Sequence, residues 1–305
     1  METTDVSVDP FVRVIDALDA NFGKAPNKRA AHAKGVVALG TFMPTAEASS
    51  VSLAGHFAGP VDVVARFSNF PGGGPHPDAA PECNPRGLAV QFRLADGSTT
   101  DLLAHSINGF PGRTVDDFSD FLEAISPQGE GPGAYLTGHP TAANFVGAIQ
   151  THGTPASYAG LSYYPVHAFM FHNADGETRA GRYTWMPRAS TRFLSEAEIA
   201  AADPGYLATE LSDRIATAVV EFVLVLQLAD PGDPTNDANA MWPADRRRIE
   251  LGTLRLSALP NDSAVVEQGL FFDPVRLVDG VTLSDDPLLI GRTRTYPLSL
   301  GRRHE

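Results

Sequence analysis

The sequence predicts an α+β protein, or a closed antiparallel barrel wrapped by helices. Three observations carry that reading. Short β-prone runs recur in groups, amphipathic helical stretches fall between the groups, and Gly, Pro, Asn and Asp punctuate the runs. A doubly wound parallel sheet would need regular strand–helix alternation, and there is none.

The elements follow in order. Asp9 is placed to cap a helix with Phe11, Val14, Ile15, Leu18 and Phe22 on one face, and Gly23 and Pro26 end it. Residues 1–27 therefore read as a helical arm leading into one domain that occupies 1–305. Runs at 36–42, 61–67, 88–94 and 99–105 read as an antiparallel meander, with Gly72-Gly73-Gly74 in a surface loop. Helices are expected at 116–125, where Phe118, Phe121, Leu122 and Ile125 share a face, and at 142–150 around Phe145, Val146 and Ile149. Runs at 167–172 and 179–186 flank the hairpin-like turn Asn173-Ala174-Asp175-Gly176. Runs at 219–228, 251–256 and 265–272 bring the total to eight or nine strands.

Composition narrows the function. The 305 residues, 43% hydrophobic, suffice for one large core or two modest ones. A formal charge of −13, with dense basic runs only at Arg246-Arg247-Arg248 and Arg302-Arg303, argues against nucleic acid. Cys83 stands alone, so neither an internal disulfide nor a thiolate metal site is expected, and a reduced, cytoplasmic setting follows. The start Met1-Glu2-Thr3-Thr4-Asp5 does not read as a signal peptide. The most apolar segment, 218–228, is interrupted by Glu221 and Gln227, so no membrane span is expected. The triple glycine lacks the Lys-Ser/Thr of a phosphate loop, nine histidines form no His-x-x-x-His pair with glutamate, and no Gly-x-Ser-x-Gly elbow is present.

Three blocks in succession carry a resemblance: Arg29-Ala30-Ala31-His32-Ala33-Lys34-Gly35, Arg66-Phe67-Ser68, and Asn84-Pro85-Arg86-Gly87-Leu88-Ala89-Val90-Gln91-Phe92. With Asp101-Leu102-Leu103, Trp242-Pro243, Glu267-Gln268, Phe272-Asp273-Pro274 and Gly291-Arg292-Thr293-Arg294-Thr295-Tyr296-Pro297, the chain resembles haem catalases over nearly its whole length. It looks like their small, catalase-related peroxidase branch, without the long N-terminal arm and C-terminal extensions of larger members. The resemblance implies a closed eight-stranded antiparallel barrel with surrounding helices and a buried haem b.

It also implies a site. His32 would be the distal acid–base group, since imidazole can take a proton from an incoming peroxide and return it to the departing oxygen. Ser68 would hydrogen-bond that ring and fix its tautomer. Tyr296 would bind the ferric iron as phenolate, with Arg292 one helical turn earlier as the cation a phenolate needs. Arg29, Arg66 and Arg303 would hold the haem propionates, and Phe118 would lie over the haem on the distal side. The family's distal asparagine is replaced, in a gapless match, by His105, so less than full catalase efficiency is expected. Asn84 replaces the aspartate usual before Pro-Arg-Gly, and Phe70 puts an aromatic near the substrate channel.

The expected activity is a haem peroxidase reducing hydrogen peroxide or an organic hydroperoxide with a small external donor, with weak catalase activity besides. Two rivals share the fold: a donor-independent fatty-acid hydroperoxide isomerase or lyase, and a non-catalytic haem carrier. A homo-oligomer is compatible with all three. No motif supports NADPH binding.

Overall fold

The computed structural model describes residues 9–74 and 76–303. Helix α1 (Pro10–Phe22) starts where the Phe11 amide donates to Asp9 Oδ1 at 3.0 Å, and it buries Val14, Ile15, Ala17 and Leu18. Strands β1 (Gly35–Pro44), β2 (Val61–Ser68), β3 (Gly87–Arg93) and β4 (Thr99–His105) form the expected meander, with the short helix α2 (Ala48–Val51) between β1 and β2. Helix α3 (Val115–Ala124) opens with a Thr114/Asp117 capping box, and α4 (Pro132–Gly138) and α5 (Pro140–Thr151) follow. The second group begins with the hairpin β5 (Ala168–His172) and β6 (Thr178–Pro187). Next come α6 (Glu196–Ala201), α7 (Tyr206–Thr217), β7 (Val220–Leu228), β8 (Arg248–Ala258), α8 (Ser263–Gly269), β9 (Val281–Leu283) and α9 (Pro287–Arg303).

The nine strands make one antiparallel sheet in the order β4-β3-β2-β1-β8-β7-β6-β5-β9, with the β1–β8 pair joining the two groups. The expected closed eight-stranded barrel is therefore corrected to a strongly curled nine-stranded half-barrel. Its edges β4 and β9 do not pair. Irregular backbone fills the seam between them: Thr100 Oγ1 donates to the Arg276 carbonyl at 2.8 Å, the Asp273 amide donates to Asp101 Oδ2 at 2.7 Å, and a lone bridge joins His105 to Tyr164. With the Asp101 amide donating to the Arg276 carbonyl at 3.3 Å, these contacts cover an edge that would otherwise be a template for aggregation.

Residues 265–272 are a second correction, since they form α8 and a loop instead of a strand. Asp262 Oδ1 accepts the Val265 amide at 3.0 Å and starts a helix. Val265 is then left 63% exposed while Val266 packs toward Val37 and Val64, a helical and not an alternating burial.

Inside the curl, Trp185, Tyr158 and Tyr163 are the largest fully buried core aromatics, with Phe42, Phe67, Phe92 and Phe222 packed among them. A second cluster holds Val14 and Leu18 of α1 against Phe121 and Leu122 of α3. The segment expected as an arm thus packs on α3 and α9. That layer positions α9, and α9 carries half of the site.

Candidate active site

His32 follows the loop after α1, and its backbone has a φ of +58°, the left-handed region that side-chain-bearing residues rarely adopt. Three contacts hold it there. The His32 amide donates to the Phe70 carbonyl at 2.6 Å, Arg66 Nη1 donates to the His32 carbonyl at 2.9 Å, and the ring Nδ1 lies 3.0 Å from Ser68 Oγ. Phe70 meets the ring edge-on, with 5.5 Å between centroids. Gly87, paired with Ser68 across β2 and β3, leaves room for all this: a Cβ there would sit 2.5 Å from Ser68 Oγ and 2.8 Å from His32 Nδ1. Nδ1 is thus engaged and Nε2 is left for a reactant. Burial, then the charges of Arg66, Arg29 and Arg292, push the His32 pKa down to about 3, so the imidazole is neutral.

Arg29 and Arg66 converge on one carboxylate. Glu267 Oε1 accepts from Arg66 Nε at 2.9 Å and from Arg29 Nη1 at 3.1 Å, and Arg29 Nη2 also donates to the Leu270 carbonyl. Two guanidiniums share one acid in a largely buried place. Burial and Arg66 push Arg29 down to about 9, and burial and Arg66 lower Arg303 at the end of α9 as well. The cluster holds more positive charge than Glu267 balances.

On α9, Arg292 Nη1 donates to Tyr296 Oη at 2.8 Å, the one-turn contact the spacing predicts. The helix starts at Asp286, whose Oδ1 accepts the Leu288 amide at 2.9 Å and whose Oδ2 lies 2.7 Å from His167 Nδ1. Burial opposes the Asp286 carboxylate. The hydrogen bond from His167 and the helix amides overcome it and hold the pKa below the usual range. His167 itself is pushed down to about 4 by burial and by Arg292. Just before it, Val166 has a φ of +43°, a strained value for a β-branched residue, and the His167 amide closes the turn onto the Pro165 carbonyl.

His105 ends β4 with its ring in a triangle with Phe110 and Phe145, at centroid distances of 6.5 and 6.2 Å. Both of its buried nitrogens lack a hydrogen-bond partner among the described residues. Burial, then His32, Arg292 and His167, push its pKa down to about 3. Phe118 packs at a tilt on Phe110 with 4.7 Å between centroids, and the Phe110 ring lies 6.0 Å from the Arg292 guanidinium.

The nine residues singled out in the sequence fall into linked groups. His32, Ser68, Arg29 and Arg66 form one, joined electrostatically to Arg303, while Arg292 and Tyr296 form a second that His105 and Phe118 border. Sequence reasoning missed Glu267 as the shared acid, Gly87 as the wall of His32, and the His167–Asp286 pair. Asp286 had a local signal, an acidic residue before Pro287 at a helix start. Glu267 had an indirect one, since buried arginines need a counter-charge.

The family model for catalase matches residues 14–304. The chain is 36% identical over 299 residues to a catalase-related peroxidase of Mycolicibacterium paratuberculosis, covering 95% of this chain and 94% of that protein. It is 31% identical over 299 residues to a catalase-related peroxidase of Synechococcus elongatus, covering 95% of this chain and 88% of that one. Among solved structures, a fungal catalase superposes with a TM-score of 0.83 at 23% identity, over 92% of this chain and 60% of that one. A bacterial catalase gives the same score and identity over 92% and 58%. The chain belongs to the catalase family, in its small catalase-related peroxidase branch.

Proposed function

We propose that this chain is a haem-dependent peroxidase, working in the cytoplasm, that reduces hydrogen peroxide or an organic hydroperoxide with electrons from a small external donor. The observation that carries the reading is His32: a strained backbone, a ring tied to Ser68 and walled by Gly87, and a neutral imidazole with Nε2 left over. Strain and orientation of that kind serve chemistry better than packing. The names of the two relatives agree with it.

The residues present fit a haem. Tyr296 Oη, already paired with Arg292, is a suitable ferric ligand, and Arg29, Arg66 and Arg303 form a cationic cluster suited to two propionates. His105 presents two unsatisfied ring nitrogens, which a bound group or its substrate would complete. Bound haem would supply the redox-active iron at which the peroxide O–O bond breaks. His32 Nε2 takes the proton of the attacking peroxide oxygen and delivers it to the departing one, while Ser68 keeps the ring in place. Arg292 stabilises negative charge on the Tyr296 oxygen, and His167 with Asp286 fixes the base of α9. The balance is ROOH + 2H⁺ + 2e⁻ → ROH + H₂O, with both electrons from the donor.

His105 at the place of the distal asparagine favours a second reading, rearrangement of a fatty-acid hydroperoxide without a donor. Product analysis with and without reductant separates the two. A non-catalytic carrier would have no use for the oriented His32.

The test is the absorption spectrum of haem-loaded protein and of Tyr296→Phe, before and after peroxide. The expected result is a ferric phenolate spectrum that the variant loses, and a transient oxidised species in the parent that decays faster with added donor. Failure of the parent to retain haem would overturn the proposal.

A further inference from the structure

A shallow cleft, open to solvent, lies where α1, the loop after it and the last turn of α9 meet. Lys24, Lys28, Arg29, Arg302 and Arg303 line it, with Asp19 as the acidic group of the lining. In a chain with a formal charge of −13, five cations against one carboxylate is a local reversal of sign. Arg302 is paired with the exposed Asp16, and Arg29 with Glu267. Lys24 and Lys28 are exposed and form no ion pair among the described residues.

The cleft also has an address. Arg29 belongs to it and to the Arg66–Glu267 cluster, so a molecule seated there is one side chain away from the group that cluster would hold. An acidic surface repels anions over roughly a Debye length, about 8 Å at physiological salt, and a cationic cleft in such a surface selects where an anion can land.

We propose that this cleft docks the external reductant and that the reductant is a small organic anion, a proposal that rests on the peroxidase reading above. Each peroxide consumed takes two electrons and two protons, giving an alcohol, or water, plus water. The donor releases both electrons, as one molecule or as two molecules oxidised by one electron each, and the protons come from donor or solvent. The outer rim, Lys24 and Lys28, binds the donor's negative charge. Arg29 and Arg303 form the inner wall.

The experiment compares the haem-loaded parent with Lys24→Glu/Lys28→Glu at low ionic strength. Calorimetric titration with hexacyanocobaltate(III), a redox-inert trianion, reads docking alone; steady-state turnover with anionic ferrocyanide and with neutral guaiacol reads donor use. The expected result is about tenfold weaker binding, or about 1.4 kcal/mol, and a KM for ferrocyanide raised by a similar factor, with guaiacol turnover unchanged. Equal binding by parent and variant would overturn the proposal, and so would a parallel loss with guaiacol. Binding by the apoprotein that disappears in the haem-loaded parent would also overturn it, because the cleft would then be only part of the propionate slot. Absence of turnover with every donor would refute the peroxidase reading instead, and the calorimetric arm would still decide whether the cleft is an anion site.

Discussion

His32 stands in a backbone conformation that costs about 1–3 kcal/mol, so its ring is held by neighbours that can be removed one at a time. Ser68 Oγ lies 3.0 Å from Nδ1, and among the described residues its hydroxyl has no other side-chain partner. Ser68→Ala is expected to lower kcat about tenfold with haem content unchanged, as loss of an orienting partner does; an unchanged kcat would mean that Arg66 and Phe70 alone fix the ring. Gly87→Ala is the harsher variant. Its methyl would lie 2.8 Å from His32 Nδ1, and overpacking of that kind costs about 1–3 kcal/mol. It should displace the ring and reduce turnover more than Ser68→Ala does, while far-ultraviolet circular dichroism stays native. If Gly87→Ala turns over like the parent, the wall assigned to Gly87 is wrong. Legibility at this scale followed sequence distance. The Arg292–Tyr296 contact spans one helical turn and could be read from spacing alone. The Arg66–Glu267 bond joins residues 201 apart, and no local pattern encodes it.

α9 brings Tyr296 and Arg292 to the site, and its position depends on close approach at Gly291. A Cβ there would run into Val115 of α3 and come within 3.4 Å of Phe11 of α1. Gly291→Leu should therefore lever α9 away from both helices. The expected loss is about 1–3 kcal/mol of stability, with weaker haem retention than Ser68→Ala shows; normal retention would mean that α9 is fixed from its Asp286 end instead. The same element shows why helix α8 escaped sequence reading while α9 did not. Around α9, Asp286-Pro287 is a strong start signal and the helical spacing runs on past it. Around α8, Val265, Val266, Phe271 and Phe272 resemble a strand by composition, and the Asp262 cap that overrides them is a single hydrogen bond. Helices α4, α6 and α7 were missed too, although the Ser195/Glu198 capping box at α6 was readable. The strand meander was legible because turn residues mark it. The open seam was not, because whether β4 meets its partner depends on backbone 172 to 176 residues away.

At the scale of the whole molecule, burial of uncharged histidines ties stability to pH. His32 and His105 are pushed to about 3, His167 to about 4, and His56, by burial alone, to about 3. An unfolded histidine titrates near about 6.5. Between that value and the folded one, the unfolded chain binds a proton that the folded chain does not, so stability rises with pH and is lost as pH falls from about 6.5 toward 3. Asp101 at the seam has the opposite sign. Burial pushes it up to about 6, so its contribution is full below about 3.8 and lost as pH rises through 6. Asp19 is raised by burial too, while His152 joins the lowered histidines; the lowered histidines outnumber the raised carboxylates, and net acid lability is the expected behaviour. His56 is the clean probe, since it is 4% exposed, packs on Phe57 and Phe92 with ring centroids 4.0 and 4.7 Å away, and lies outside the site. Its Nδ1 has no partner among the described residues, so a phenyl ring loses no hydrogen bond there. In His56→Phe, the slope of unfolding free energy against pH, from urea denaturation of the apoprotein between about pH 4 and pH 6, should fall by one proton, or about 1.4 kcal/mol per pH unit. An unaltered slope would show that His56 is already charged in the fold, and the acid lability would then come from the other lowered histidines, His32, His105, His152 and His167.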